Sequence, residues 1–101
     1  MAIVLLELFL SHYVLNDAGV EKDTIWGGKR FIQWSEIESI AYIDGRYGGD
    51  EFRIKGAGKT ISLPLWLEGI NVFSRMVVAR VPPDKWAESK HNILNMVENV
   101  I

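Results

Sequence analysis

The sequence contains no cysteine, only three prolines and no marked excess of either charge. The absence of cysteine excludes a disulfide framework, a cysteine-ligated zinc site and a thiol nucleophile, and it is compatible with a reducing cytoplasm. Eleven Lys and Arg residues against thirteen Asp and Glu residues give a net charge of −2, which provides no basic excess to attract nucleic acid. We therefore expect a cytoplasmic protein with no nucleic-acid partner.

A long uninterrupted apolar run is also missing. The most apolar segment, residues 1–15, is broken by Glu7 and then by Ser11 and His12, whereas a spanning helix needs about 20 apolar residues. The segment also lacks the basic start and the small-residue cleavage site of a signal peptide. We interpret it as a buried strand or short helix. The alternative is the stub of a membrane segment, which would place the domain on the cytoplasmic side of a membrane.

The chain has 101 residues, of which 49% are hydrophobic, and these include four Trp, four Phe and three Tyr. This is the length of one ordinary domain, and the apolar residues suffice for a core without disulfides. No repeat or long linker divides the sequence. We therefore predict a single domain over residues 1–101.

Turn-forming residues recur at short intervals through the first two thirds of the chain, which is typical of antiparallel strands joined by hairpins. Between the turns, apolar side chains fall on alternate positions, as in residues 51–55, where Phe52 and Ile54 lie between charged residues. We predict six strands after residue 11, with residues 3–10 as a candidate seventh. Five of the six are placed at 20–26, 30–34, 37–43, 51–55 and 61–65.

After Trp66 the apolar residues recur at steps of three and four, which predicts a helix over 67–80 that ends before Pro82 and Pro83. Asp84 is the predicted N-cap of a second helix over 84–101. That helix carries a second apolar stripe of Trp86, Ile93, Leu94, Val97, Val100 and Ile101. Strands followed by helices indicate the α+β class, here a curved antiparallel sheet or open barrel plugged by a helix.

Three segments resemble the bacterial pleckstrin-homology-like (PH-like) domains: 13–20 (YVLNDAGV), 34–40 (WSEIESI) and 61–66 (ISLPLW). The resemblance covers residues 11–81. It implies an antiparallel β-barrel of six to seven strands in two near-orthogonal sheets, closed at one end by the helix at 67–80. The helix at 84–101 is an addition to that pattern.

No set of residues in the sequence has the spacing of a catalytic, cofactor or metal site. Residues 55–60 (KGAGKT) resemble part of a phosphate-binding loop, but Arg53 stands where the first glycine is needed and a strand follows where a helix is needed. His12 and His91 are far apart and lack partner ligands. We therefore predict a hairpin turn at this loop, no cofactor, no metal and no enzymatic activity.

The predicted function is that of a non-catalytic PH-like interaction module that binds protein and forms a homo-oligomer. The candidate interaction surface comprises Arg46 and Tyr47, in a glycine-rich loop, together with Trp86, Ile93 and Val97 on the second apolar stripe. The alternative function is membrane-associated sensing of lipid phosphate, with a lipid headgroup as partner. It would need basic residues to converge at one end of the barrel, and the basic residues available are Lys29, Arg30, Arg46, Lys55 and Lys59.

Overall fold

A computed structural model describes residues 4–7, 11–24, 28–45, 49–65, 67 and 69–98 of the chain. Two short 3₁₀ segments, Trp34–Glu36 and Pro83–Ser89, accompany seven strands and two helices. The strands and helices are β1 (Val4–Glu7), β2 (Ser11–Leu15), β3 (Gly19–Thr24), β4 (Gly28–Gln33), β5 (Ile37–Ile43), β6 (Glu51–Gly56), β7 (Lys59–Pro64), α1 (Ile70–Arg80) and α2 (Lys90–Glu98).

The strands form two antiparallel meanders, a four-stranded sheet in the order β1-β2-β3-β4 and a three-stranded sheet in the order β5-β6-β7. The predicted α+β class is therefore confirmed, and part of the N-terminal apolar segment forms a strand. The β-barrel implied by the PH-like resemblance is not formed, because no described strand of one sheet pairs with a strand of the other. The reason lies at Trp34–Glu36, where a 3₁₀ turn carries the chain out of the β4 ladder before β5 begins.

The hairpin between β2 and β3 is closed by Asn16, whose side-chain oxygen accepts hydrogen bonds from the backbone of Ala18 at 2.8 Å and Gly19 at 3.1 Å. A Cβ atom at Gly19 would lie 2.1 Å from the backbone oxygen of Ile32, so only glycine allows β3 to approach β4 this closely. The indole of Trp34 donates to the Asn16 carbonyl at 2.8 Å. The hairpin is thereby tied to the turn that separates the two sheets.

The core lies between the two sheets and the helices. Phe73 of α1 is fully buried, and its ring centroid lies 6.3 Å from that of Trp34 and 5.7 Å from that of Phe52 on β6. These are favourable separations for aromatic pairs. The sheets contribute the buried alternate residues of their strands, among them Leu15, Val20, Ile32, Ile40, Ile54, Ile61 and Leu63.

Helix α1 begins at Ile70, three residues later than the predicted start at residue 67. Gly69 precedes it with φ 85°, a left-handed conformation that cannot extend the helix N-terminally. Leu67 is nevertheless only 3% exposed, so it joins the core from outside the helix. The end of α1 at Arg80 agrees with the prediction, and its last backbone bond runs from Val81 to Val77.

The C-terminal segment is not the single helix predicted over 84–101. It contains the Pro83–Ser89 3₁₀ segment and then α2, while residues 99–101 lie outside the described residues. The backbone leaves the helical region at Trp86, with φ −126° and ψ 23°. The Asp84 prediction is also wrong, because Pro82 holds the N-cap position and no side chain caps it.

The β6–β7 hairpin has the predicted turn at its tip. Ala57 and Gly58 occupy the turn with φ values of 52° and 72°, so one of the two left-handed positions is held by a residue other than glycine. Among the described residues, no helix has the length and apolar character needed to cross a bilayer.

Replacing Phe73 by Ala should lower the free energy of unfolding by about 3–5 kcal/mol, because the change leaves a cavity beside the rings of Trp34 and Phe52. The matched control is Val78→Ala in the same helix, whose side chain is 42% exposed and whose loss should cost less than about 0.5 kcal/mol. Urea unfolding followed by circular dichroism measures both. Equal costs for the two variants would contradict this description of the core.

Candidate functional site

The glycine-rich loop between β5 and β6 holds two of the predicted contact residues, Arg46 and Tyr47. Both lie outside the described residues. The structure does describe the two ends of the loop. There, the Tyr42 hydroxyl donates a short hydrogen bond to the Asp50 carboxylate, and the backbone N–H of Gly45 donates to the same carboxylate at 3.3 Å.

Asp50 also anchors β7, since its carbonyl accepts a hydrogen bond from the backbone of Leu65 at 2.9 Å. The Tyr42 ring packs edge-on against Phe52 with centroids 6.3 Å apart. The Tyr42–Asp50 bond therefore joins the start of the loop to its end and connects both to the core. Sequence reasoning missed this pair, because the two residues are eight apart and neither stands in a recognisable motif.

The hydrogen bond between Tyr42 and Asp50 shifts the pKa values of both side chains. The hydrogen bond to Asp50, followed by desolvation and the charges of Asp50 and Asp44, raises the pKa of Tyr42 from 10.0 to about 12. The same bond is the main cause that lowers the pKa of Asp50 below 3.8. Both shifts favour the protonated phenol bound to the ionised carboxylate, which is the state present at neutral pH.

Two of the predicted surface residues, Trp86 and Ile93, lie in the core of their own chain. Trp86 is 5% exposed and Ile93 is fully buried, while Val97 is half-buried. The Trp86 indole donates to the Val81 carbonyl at 3.0 Å, and the Ser89 hydroxyl donates to the Ile40 carbonyl of β5 at 2.8 Å. The C-terminal segment therefore folds back over its own sheet, so Trp86 and Ile93 are not part of an exposed surface.

The solvent face of the four-stranded sheet carries apolar residues that sequence reasoning did not single out. Val14 on β2 and Phe31 on β4 alternate with buried neighbours, and both are aligned with Glu21 on β3. Leu5 on β1 is the register partner of Val14. We call Val14 and Phe31 the outer row. On the helices, Val78 and Leu94 are 42% and 39% exposed.

Of the predicted basic residues, Arg46 lies outside the described residues, and Lys29 and Arg30 lie on β4. Lys59 donates to the Phe31 carbonyl at 3.2 Å, which brings it to β4, whereas Lys55 lies on the exposed face of β6. One pairing stands out, since Lys22 and Arg30 are direct register partners on β3 and β4. The Lys22 ammonium lies 5.5 Å from the centre of the Tyr13 ring.

A shallow cavity of about 570 Å³ lies beside the β2–β3 hairpin and the end of α1. Two of its lining groups, Asp17 and Arg80, pair with each other at 2.8 Å, and each side chain is 41% exposed. An ion pair this exposed contributes about 0–1 kcal/mol, so it shapes the cavity without supplying an unpaired charge.

Within the described ranges, no three His, Asp or Glu side chains come together in a way that could hold a metal ion. Comparison of the chain with protein-family models, with curated proteins and with solved structures finds no match.

Replacing Asp50 by Asn should lower the pKa of Tyr42 from about 12 towards 10.0, because the change removes the charge that accepts its hydrogen bond. Asp44→Asn is the matched control and should lower this pKa less, since the Asp44 charge is the smallest of the causes. NMR titration of the tyrosine ring carbons measures both values. A Tyr42 pKa that Asp50→Asn leaves unchanged would contradict the pairing.

The pKa shifts of Tyr42 and Asp50 also determine how the stability of the fold depends on pH. The phenol pKa is raised by folding, so its contribution to stability is present below pH 10.0 and is lost as the pH rises towards about 12. The carboxyl pKa is lowered by folding, so its contribution is present above pH 3.8 and is lost as the pH falls below that value. The stability difference between the native chain and Tyr42→Phe should therefore shrink at both extremes.

Proposed function

We propose that this chain is a non-catalytic PH-like interaction module that binds protein and associates with itself. The element order supports the PH-like assignment, because seven described strands in two antiparallel sheets are followed by a helix, which agrees with the strand number, the two sheets and the helix that the resemblance implies. The link between the Asn16 hairpin and Trp34 supports it further, because it connects two of the three segments that carry the resemblance.

The outer row is the observation that carries the proposed function. The inner faces of both sheets are filled by the chain's own side chains, so binding falls to the outside of the molecule. Val14 and Phe31 keep part of their apolar surface on a sheet face where alternation places polar residues in an ordinary strand. Glu21 lies between the two apolar residues, and partly exposed apolar residues on a sheet face support a role in protein binding.

The charge of the chain does not oppose binding of a second copy strongly. The net charge of −2 is small, so two chains repel each other weakly. A symmetric interface also covers the same apolar surface on both molecules.

The full chain should have a solution mass of about twice 11.5 kDa at high micromolar concentration and should dissociate on dilution. Sedimentation equilibrium over a range of concentrations measures this. Added salt should leave the mass unchanged, because apolar contact is not screened whereas an ionic interface would weaken. A monodisperse monomer at high micromolar concentration would overturn the self-association.

Binding of a lipid phosphate is the second candidate, and the Lys22–Arg30 pairing favours it. Like charges that lie directly opposite each other on adjacent strands are destabilising, and an anion would relieve the repulsion. Neither residue forms an ion pair with a described carboxylate. The cation–π contact with Tyr13 stabilises the Lys22 ammonium without neutralising its charge.

For this candidate, the chain should co-sediment with phosphatidylcholine vesicles that contain a phosphoinositide, and the double variant Lys22→Ala, Arg30→Ala should abolish the binding. The matched control is Lys55→Ala, Lys90→Ala, which removes the same charge from exposed positions elsewhere. Equal loss in both double variants would indicate general electrostatic attraction. No binding by the native chain would eliminate the candidate.

A further inference from the structure

The inner face of the four-stranded sheet changes from apolar to basic along its strands. One cross-strand row is fully buried in the core and consists of Leu15, Val20 and Ile32. Side chains two positions apart on a strand share a face, so the next row on this face consists of Tyr13, Lys22 and Arg30. We call these three residues the basic row. Lys22 is half-buried and Arg30 is exposed, so the basic row lies at the rim of the core, where a ligand can reach it from solvent.

Lys22 and Arg30 place two positive charges side by side on adjacent strands. Directly opposed residues of an antiparallel pair have Cα atoms about 4.5–5.5 Å apart, so both charged groups can reach one anion. The acidic residues of β3, Glu21 and Asp23, lie on the other face of the sheet. Within the part of the chain that the structure describes, no carboxylate forms an ion pair with either cation. An anion bound at the basic row would supply the counter-charge that a half-buried cation needs.

Tyr13 holds the Lys22 ammonium in place. Tyr13 is 1% exposed, and the ammonium nitrogen lies 5.5 Å from the centre of its ring. Burial, followed by the charge of Glu51, raises the pKa of the Tyr13 phenol, so the ring is uncharged at neutral pH. Glu51 itself pairs with Arg53 at 3.4 Å. The cation–π contact attracts the ammonium without using its N–H donors, which stay available to a ligand.

We infer that the basic row is a binding site for a phosphate group, in which Tyr13 is a positioning residue that keeps the Lys22 ammonium beside the Arg30 guanidinium. The inference rests on the lipid-phosphate candidate above and adds the third residue of its site. A phosphate monoester carries a charge of about −1.5 to −2 at pH 7, so it neutralises both cations, whereas a carboxylate neutralises one. The guanidinium binds two phosphate oxygens in parallel, and the ammonium acts as a point charge on the others.

The test of the positioning role compares Tyr13→Phe with Tyr13→Leu in the full chain, with soluble inositol trisphosphate as the probe and NMR titration as the measurement. Tyr13→Phe keeps the ring and should bind as the native chain does. Tyr13→Leu keeps an apolar side chain but loses the ring, so binding should weaken roughly two- to five-fold, the equivalent of a cation–π contact of about 0.5–1 kcal/mol. Equal binding by the two variants would overturn the role of Tyr13.

A Lys22→Ala background separates positioning from a general effect on the fold. There the two Tyr13 variants should bind the probe equally, because no ammonium is left to position. A difference between them that persists without Lys22 would show that the ring acts through the fold, and it would overturn the positioning role.

The native chain alone locates the site. Addition of inositol trisphosphate should shift the amide resonances of Tyr13, Lys22 and Arg30 and leave those of Lys55 and Lys90 unchanged. Shifts centred on Lys55 or Lys90 would overturn the inference without requiring any variant to fold.

A second probe, phosphatidylcholine vesicles that contain a phosphoinositide, identifies the source of the phosphate group. Binding of both probes, weakened in both cases by Tyr13→Leu, would support a site for the phosphate group itself. Binding of vesicles alone, weakened by the same change, would support a lipid headgroup. Vesicle binding that Tyr13→Leu leaves unchanged would overturn the inference but leave the lipid-phosphate candidate standing. A native chain that binds neither probe would overturn both.

Discussion

The packing of Phe73 between Trp34 and Phe52 is the interaction on which the rest of the architecture depends. One ring belongs to α1, one to the turn between the sheets and one to the second sheet, so the contact joins three parts of the fold. Loss of a buried phenylalanine costs about 3–5 kcal/mol, whereas the exposed Asp17–Arg80 ion pair is worth about 0–1 kcal/mol. Apolar packing therefore sets the position of α1, and the ion pair only adds to it.

The position of α1 in turn determines where the chain can go after Arg80. Val81 is 3% exposed and accepts the indole hydrogen bond of Trp86, which turns the segment back towards β5. The non-helical backbone at Trp86 buries the indole, and it also places Ser89 against the Ile40 carbonyl. The non-helical backbone at Trp86 thus adds the indole to the core and places the Pro83–Ser89 segment along β5.

Much of this fold could be predicted from the sequence, because the apolar residues of half-buried strands and helices recur at regular intervals. The alternation in residues 51–55 and 61–65 located β6 and β7, and the helical stripe located α1. The period could not show that Gly69 delays the helix or that Trp86 breaks it, since both depend on the path of the chain in space. The apolar period also could not show which surface buries Trp86 and Ile93. An apolar stripe indicates that one face of a helix is buried, but it does not indicate what that face packs against. The Tyr42–Asp50 bond left no sequence signal at all.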